Sequence, residues 1–193
     1  MNSQERIRFV AAAAVFGAVW GACEMFLGSY LHMLNIPFRG AFMAGIASVI
    51  LAGGRAFANF RGVTFSMALS AAVLKLLGFG SFKLGPVAGI LIEGALAESM
   101  FSLFGLRYWC VFLTSILLCM EAVPHFFVTS WIMYGGGIFE EYIKVLSRVA
   151  SIFRLPENFY ISIIALWLGA HLLIGAFFGR LSVISVKRLK HDI

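Results

Sequence analysis

Seven ionisable side chains stand inside long apolar runs of this sequence: Glu24, Lys75, Glu93, Glu98, Glu121, His125 and His171. An ionised group in a hydrocarbon environment costs several kcal/mol, so such residues face a partner or a watery cavity. Carboxylates supply acceptors, while lysine and imidazole supply donors; together they can hold a small polar solute. Glu121 and His125 are four apart and share one helix face. They flank Pro124, which frees a backbone carbonyl and bends a helix, so their polarity has a structural alternative in serving that kink. Lys75 and Glu93 have a comparable alternative, mutual neutralisation across two helices. Glu98 is five residues from Glu93 and points about 140° away from it. Glu98 and His171 are therefore read as pairing inside the bundle rather than sharing the Glu93 site.

Other groups fall near the same end of the chain's apolar segments. His32, Asn35 and Lys83 lie in connecting stretches, and Trp131, Tyr134 and Phe159 at segment ends, with Trp20 one turn before Glu24. Interface anchoring is the ordinary role of such tryptophans and tyrosines; stacking on a flat ligand ring is the functional one. The candidate solute-binding set is Glu24, His32, Asn35, Lys75, Glu93, Glu121, His125, Trp131 and Tyr134. Catalytic signatures are missing: the chain has no HExxH, GxSxG, P-loop or GxGxxG pattern. Two ligands do not close a metal site, so neither a metal centre nor a cofactor is expected. Cys23, Cys110 and Cys119 lie in apolar segments without CxxC spacing and read as small buried hydrophobes.

The elements that must position these groups are membrane helices. Of 193 residues, 61% are hydrophobic and only 12% charged, with a mean hydropathy of +0.94. A soluble domain is nearer half apolar and a quarter charged, and the excess cannot be hidden in one small core. A span needs about 20 mostly apolar residues. Six candidates are Phe9–Gly28, Phe38–Gly54, Gly62–Gly78, Leu84–Phe104, Tyr108–Tyr134 and Phe159–Arg180. The expected fold is all-α, one six-helix membrane domain over residues 1–193. The first apolar segment is too long for a cleaved signal peptide.

The net charge of +6 is spread between apolar runs rather than gathered in a patch, which argues against nucleic acid as a partner. Lysine and arginine instead set orientation. Arg6, Arg8, Arg55, Arg61, Arg107, Arg180, Lys187, Arg188 and Lys190 outnumber Arg39, Lys83, Lys144, Arg148 and Arg154 on the other side. The richer side is expected to be cytoplasmic, with both termini inside a plasma membrane. Glu24, Lys75 and His125 then lie in the outer half, and the candidate groups read as a pocket open to the outside. The long external stretch "GGGIFEEYIKVLSRVASIFRLP" places Ile138, Tyr142, Val145, Val149, Ile152 and Phe153 at helical spacing. It predicts a short amphipathic helix between spans five and six, either a lid or an interfacial spacer.

In the first span Ala14, Ala18 and Ala22 recur every four residues, a smooth strip that lets another helix approach closely. Glu24 is about 200° around the helix from Ala22. One side is thus suited to docking and the other to the interior. The alternative is that the strip packs within this chain.

Taken together, "AAVFGAVWGA", "PFRGAFMAGIASVILAGGRAF" and "LGPVAGILIEGALAESMFSLFGLRYW" resemble the S components, the substrate-capturing subunits of energy-coupling factor (ECF) transporters. The first looks like that family's AxxxA docking motif. The last is similar to the thiamine-precursor (hydroxymethylpyrimidine) type. The resemblance implies capture of a vitamin or vitamin precursor near the outer face. Delivery would follow by toppling in the lipid bilayer, with a T subunit and two ATPase subunits as partners; ATP hydrolysis would belong to those partners and not to this chain. The alanine strip would dock the T subunit, and "SYLHMLNIPFRG" would gate the pocket. Metal-type relatives carry a histidine directly after the initiator methionine, where this chain has Asn2. Two other readings stay open: a nickel- or cobalt-type uptake subunit using His32, Glu24, His125 and Glu121, and a structural subunit of another membrane complex.

Overall fold

In the computed structural model, residues 1–34, 38–78, 83–152, 154, 156 and 159–192 are described; of these, the side chains of residues 32, 145, 148, 149, 191 and 192 are not. Every regular element among them is helical. Helix α1 (Ser3–Cys23) is started by a capping box, in which Glu5 N–H donates to the Asn2 side chain and Asn2 N–H to the Glu5 carboxylate, both at 2.8 Å. It widens into a π turn at Glu24–Gly28 and continues as α2 (Ser29–Met33). Then come α3 (Arg39–Phe57), α4 (Val63–Leu77), α5 (Leu84–Phe104), α6 (Tyr108–Tyr134), α7 (Gly137–Ile152) and α8 (Phe159–Asp192).

Five helical stretches are long and apolar enough to cross a membrane: Ser3–Leu31, Arg39–Phe57, Leu84–Phe104, Tyr108–Tyr134 and Phe159–Lys190. They fit a multi-pass membrane protein. Helix α4 is apolar but has 15 residues, about 22 Å of helix against a hydrocarbon core of about 30 Å. The bounds of α5 and α6 coincide with the predicted spans. Helix α8 does not stop at Arg180: no glycine or proline follows Gly179, so the helix runs on through the basic tail. Val186 is fully buried there, Lys190 donates to the Leu106 carbonyl at 3.0 Å, and Lys187 and Lys190 lie over the Tyr108 ring. Hydropathy marks where the apolar run ends, not where the helix does.

Helix α3 is the centre of the bundle. Its Ala41, Ala44, Ala47 and Leu51 are fully buried, and the Phe178 ring of α8 occupies the space a side chain on Gly45 would need. Helix α1 packs on α4 through Gly17 and Gly21. A Cβ on Gly17 would stand 2.6 Å from Ser70 Cβ, and one on Gly21 2.8 Å from Leu74 Cβ. Ala14 and Ala18, in the row next to these glycines, are exposed and Ala22 is half-buried. The closest approach of α1 to α4 is made by the glycines rather than by Ala14 and Ala18. An open groove of about 430 Å³ runs between α1 and α4 beside the strip, lined by Ala14, Ala18, Leu69, Ser70, Val73 and Leu74.

Helix α7 touches α6 through aromatic pairs, Tyr142 on Phe126 at 6.2 Å and Phe139 on Phe127 at 5.9 Å between ring centres. Its Ile143 and Ile152 are exposed. The apolar positions Val145 and Val149, as side chains, and Phe153 lie outside what is described.

A buried carboxylate cluster as candidate functional site

Two groups of buried charges occupy opposite ends of the bundle. At the first end, α3 finishes, α4 begins and α5 finishes. Glu98 of α5 accepts from Gly62 N–H at 2.7 Å and Thr64 N–H at 3.1 Å, and from the Thr64 and Ser102 hydroxyls. Gly62 takes a φ of +89°, which glycine adopts without strain and which turns its N–H into the carboxylate. Glu98 thus serves the start of α4 as a capping acidic group from another helix. Arg55, 4% exposed, completes the network: it pairs with Glu98 at 3.0 Å, donates to Asn59 at 3.1 Å and bonds the Phe60 carbonyl.

The second group lies about 18 Å of helix farther along α4, where α1 and α4 end and α5 begins. Lys75 forms an ion pair with the Glu24 carboxylate at 3.6 Å and bonds the Glu24 carbonyl within the π turn. Gly28 closes over this pair. A Cβ there would stand 3.2 Å from Glu24 Oε2 and 3.6 Å from Lys75 Nζ, with Met43 of α3 alongside. Across from it, His125 Nδ1 lies 3.3 Å from Glu121 Oε1. The imidazole sits against α5, beside the Gly85 backbone and 3.4 Å from where a Cβ on Gly89 would be. A Cβ at position 89 would thus stand in van der Waals contact with the ring.

Glu93 lies within electrostatic reach of both Glu24 and Glu121, and near Cys119. It does not pair with Lys75, which Glu24 takes. Its Oε2 is one of two buried side-chain polar atoms with no hydrogen-bond partner among the described residues; the other is Trp20 Nε1. The Trp20 indole N–H is directed toward the Glu24 carboxylate, one turn after it in the chain, outside hydrogen-bond distance or angle. Both orphans, one acceptor and one donor, thus belong to the same cluster. Unpartnered buried polar groups are rare in folded proteins and mark a strain reservoir, a catalytic role, or a place completed by water or an ion.

The structure brings together Glu24, Lys75, Glu93, Glu121 and His125. It holds Glu24, Lys75 and Glu93 buried, each 8% exposed, where the sequence suggests side chains lining an open pocket. Trp131 and Tyr134 are 58% and 64% exposed near the end of α6 and, among the described residues, make no contact with the cluster. Both side chains lie on the exposed surface of α6. Asn35 and the His32 side chain lie outside what is described. Lys83 donates to the Leu76 carbonyl at 2.7 Å. His171 is buried, its Nδ1 2.8 Å from the Trp167 carbonyl and its ring edge-on to Trp167 and Phe38. Among the described residues no three His, Cys, Asp or Glu side chains are placed to hold a metal ion.

The site residues that sequence reasoning misses are Gly28, Gly85 and Gly89, which contribute space or backbone rather than side chains. A glycine four residues before an intramembrane carboxylate, as Gly89 precedes Glu93, is the one signal that would have pointed to them. Comparison with known proteins assigns no relative: no family model, no curated protein and no solved structure matches the chain.

Proposed function

We propose that this chain is the substrate-capturing S component of an ECF-type uptake transporter, binding a small nutrient of the vitamin or vitamin-precursor class. The reading takes six spans, with α4 as the third, both termini on the cytoplasmic side of a plasma membrane, and α7 as an external amphipathic helix. The observation that carries it is the division of labour on α1. Ala14 and Ala18 are exposed on one side, while Glu24 is buried against Lys75 on the other. A smooth strip of small residues beside an apolar groove suits close approach of a partner helix. Buried charge on the far side suits a cargo site. Coupling energy would then come from a T subunit and two ATPase subunits.

The test separates the two faces. Ala18→Trp is expected to abolish co-purification with a T subunit and to stop uptake while cargo binding stays intact. Equal loss of cargo binding would mean that the strip serves the fold of this chain, and the assignment would fall.

A further inference from the structure

The cluster around Glu93 is short of positive charge. It holds three carboxylates, Glu24, Glu93 and Glu121, against one ammonium, Lys75, and one imidazole, His125. Lys75 is committed to Glu24 by an ion pair and a carbonyl bond. His125 is committed to Glu121. Among the described residues, pairing exhausts these cations and leaves Glu93 over, with Oε2 buried and unpartnered. Arg39 and Lys83, at the same end, form no ion pair with it among the described residues, and the His32 side chain lies outside those.

A buried carboxylate without a donor is costly to keep, and a membrane helix makes it costlier. We infer that the cluster is the binding site of a positively charged organic ligand, whose N–H donors satisfy Glu93 in place of a partner from the chain. This rests on the reading of the chain as a capture subunit, and it adds the charge class of the cargo. An anion would meet Glu93 with its charge uncompensated. A neutral solute would leave the surplus carboxylate as it is. A divalent metal would need three converging ligands, and no such group stands among the described residues. The orphan Trp20 N–H beside Glu24 offers the same ligand one donor for an acceptor of its own.

The inference changes which carboxylate faces cargo. Sequence position favours Glu24, at the outer end of the first span. The structure gives Glu24 to Lys75 and leaves Glu93 as the available acceptor.

Benzamidine, benzamide and benzoate test this on the purified full chain in detergent. They share one planar ring and nearly one size, and carry a positive, zero and negative charge in turn. Titration calorimetry is expected to show benzamidine binding about ten- to a hundred-fold more tightly than benzamide, the range of one charge-assisted hydrogen bond, and no binding of benzoate. Glu93→Gln should reduce benzamidine to the level of benzamide. Glu93→Asp, which keeps the charge on a shorter stem, should bind more weakly yet still prefer the cation. Both variants are compared with the parent by chromatographic elution, and if Glu93→Gln does not fold, the Glu93→Asp titration decides.

No benzamidine binding at millimolar concentration, equal binding of the three probes, or an undiminished cation preference in Glu93→Gln would each overturn the inference. So would one-to-one binding of nickel or cobalt that Glu93→Gln abolishes. Ala18→Trp should leave the benzamidine titration unchanged. A cation preference without any T-subunit partner would sink the transporter reading alone, and partner capture without charge preference would sink the cation site alone.

Discussion

Glu93 and Glu98 are neighbours on one helix, five residues apart, and have opposite circumstances. Glu98 accepts from two backbone amides and two hydroxyls and is paired with a buried arginine. Glu93 is more deeply buried than Glu98 and has an oxygen with no donor among the described residues. The difference separates two uses of an intramembrane acid. One closes a helix junction, and its partners are supplied by the chain because the junction must hold in every state. The other is left incomplete by the chain, which fits a group completed from outside. Satisfaction, more than burial or charge, distinguishes the structural carboxylate from the candidate site.

The comparison is broken most easily at the satisfied end. Glu98→Ala strips the cap from α4 and leaves the 4%-exposed Arg55 guanidinium without its counter-charge. Breaking a buried pair by removing one partner costs about 3–5 kcal/mol, so a large fall in thermal stability in detergent is expected. The half-life at fixed temperature is the safer measurement, since membrane proteins commonly unfold irreversibly. A variant as stable as the parent would show that Arg55 and the start of α4 do not depend on Glu98, and the contrast between the two acids would lose its meaning.

The next effect contrasts the two faces of α1. Gly17→Leu places a side chain where a Cβ alone would stand 2.6 Å from Ser70 Cβ and 2.8 Å from the Met67 carbonyl. Overpacking of this kind typically costs about 1–3 kcal/mol, and here it pushes α1 from α4, carrying Glu24 from Lys75. Ala18→Leu, on the exposed face, should shift the melting temperature far less. Comparable losses would mean that both faces are packed within this chain.

How much of this the sequence discloses depends on the kind of signal. Long apolar runs bounded by glycine or a charge set α5 and α6 to the residue, because hydropathy and helix end together there. At α8 they part, and the helix continues on amphipathic packing that a hydropathy reading does not register. The small-residue face of α1 is legible, but its direction is only half so. Ala14-Ala18-Ala22 and Gly17-Gly21 are adjacent rows with the same period, and spacing does not say which row meets α4. That Glu93 and Glu98 serve different places follows from helix geometry alone. Which cation each carboxylate takes does not, because pairing depends on how α1, α4 and α5 are rotated against one another. The π turn at Glu24–Gly28 has no sequence signature of its own; it is a defect of one residue that Lys75 holds from another helix. Trp131 and Tyr134 carry no such distinction, because an aromatic at a helix end looks the same whether it meets lipid headgroups or a ligand.

The smallest expected effect is the most informative about the unsatisfied end. Glu93→Gln replaces a buried carboxylate that lacks a donor with a neutral amide of nearly equal size. No ion pair is broken, since Glu93 has none among the described residues. Burying a neutral polar group costs less than burying an unpaired charge, so the melting temperature of the ligand-free protein should stay the same or rise, by at most about 1 kcal/mol equivalent. Glu98→Gln, measured beside it, should fall, because the amide cannot serve Arg55 and the amides of Gly62 and Thr64 as the carboxylate does. The sign of the difference between two matched Glu→Gln changes is the measurement, and it cancels the effects of detergent and scan rate that both share. If Glu93→Gln melts as low as Glu98→Gln, Glu93 is held by a structural partner in the folded protein, and the distinction between a completed and an incomplete carboxylate disappears.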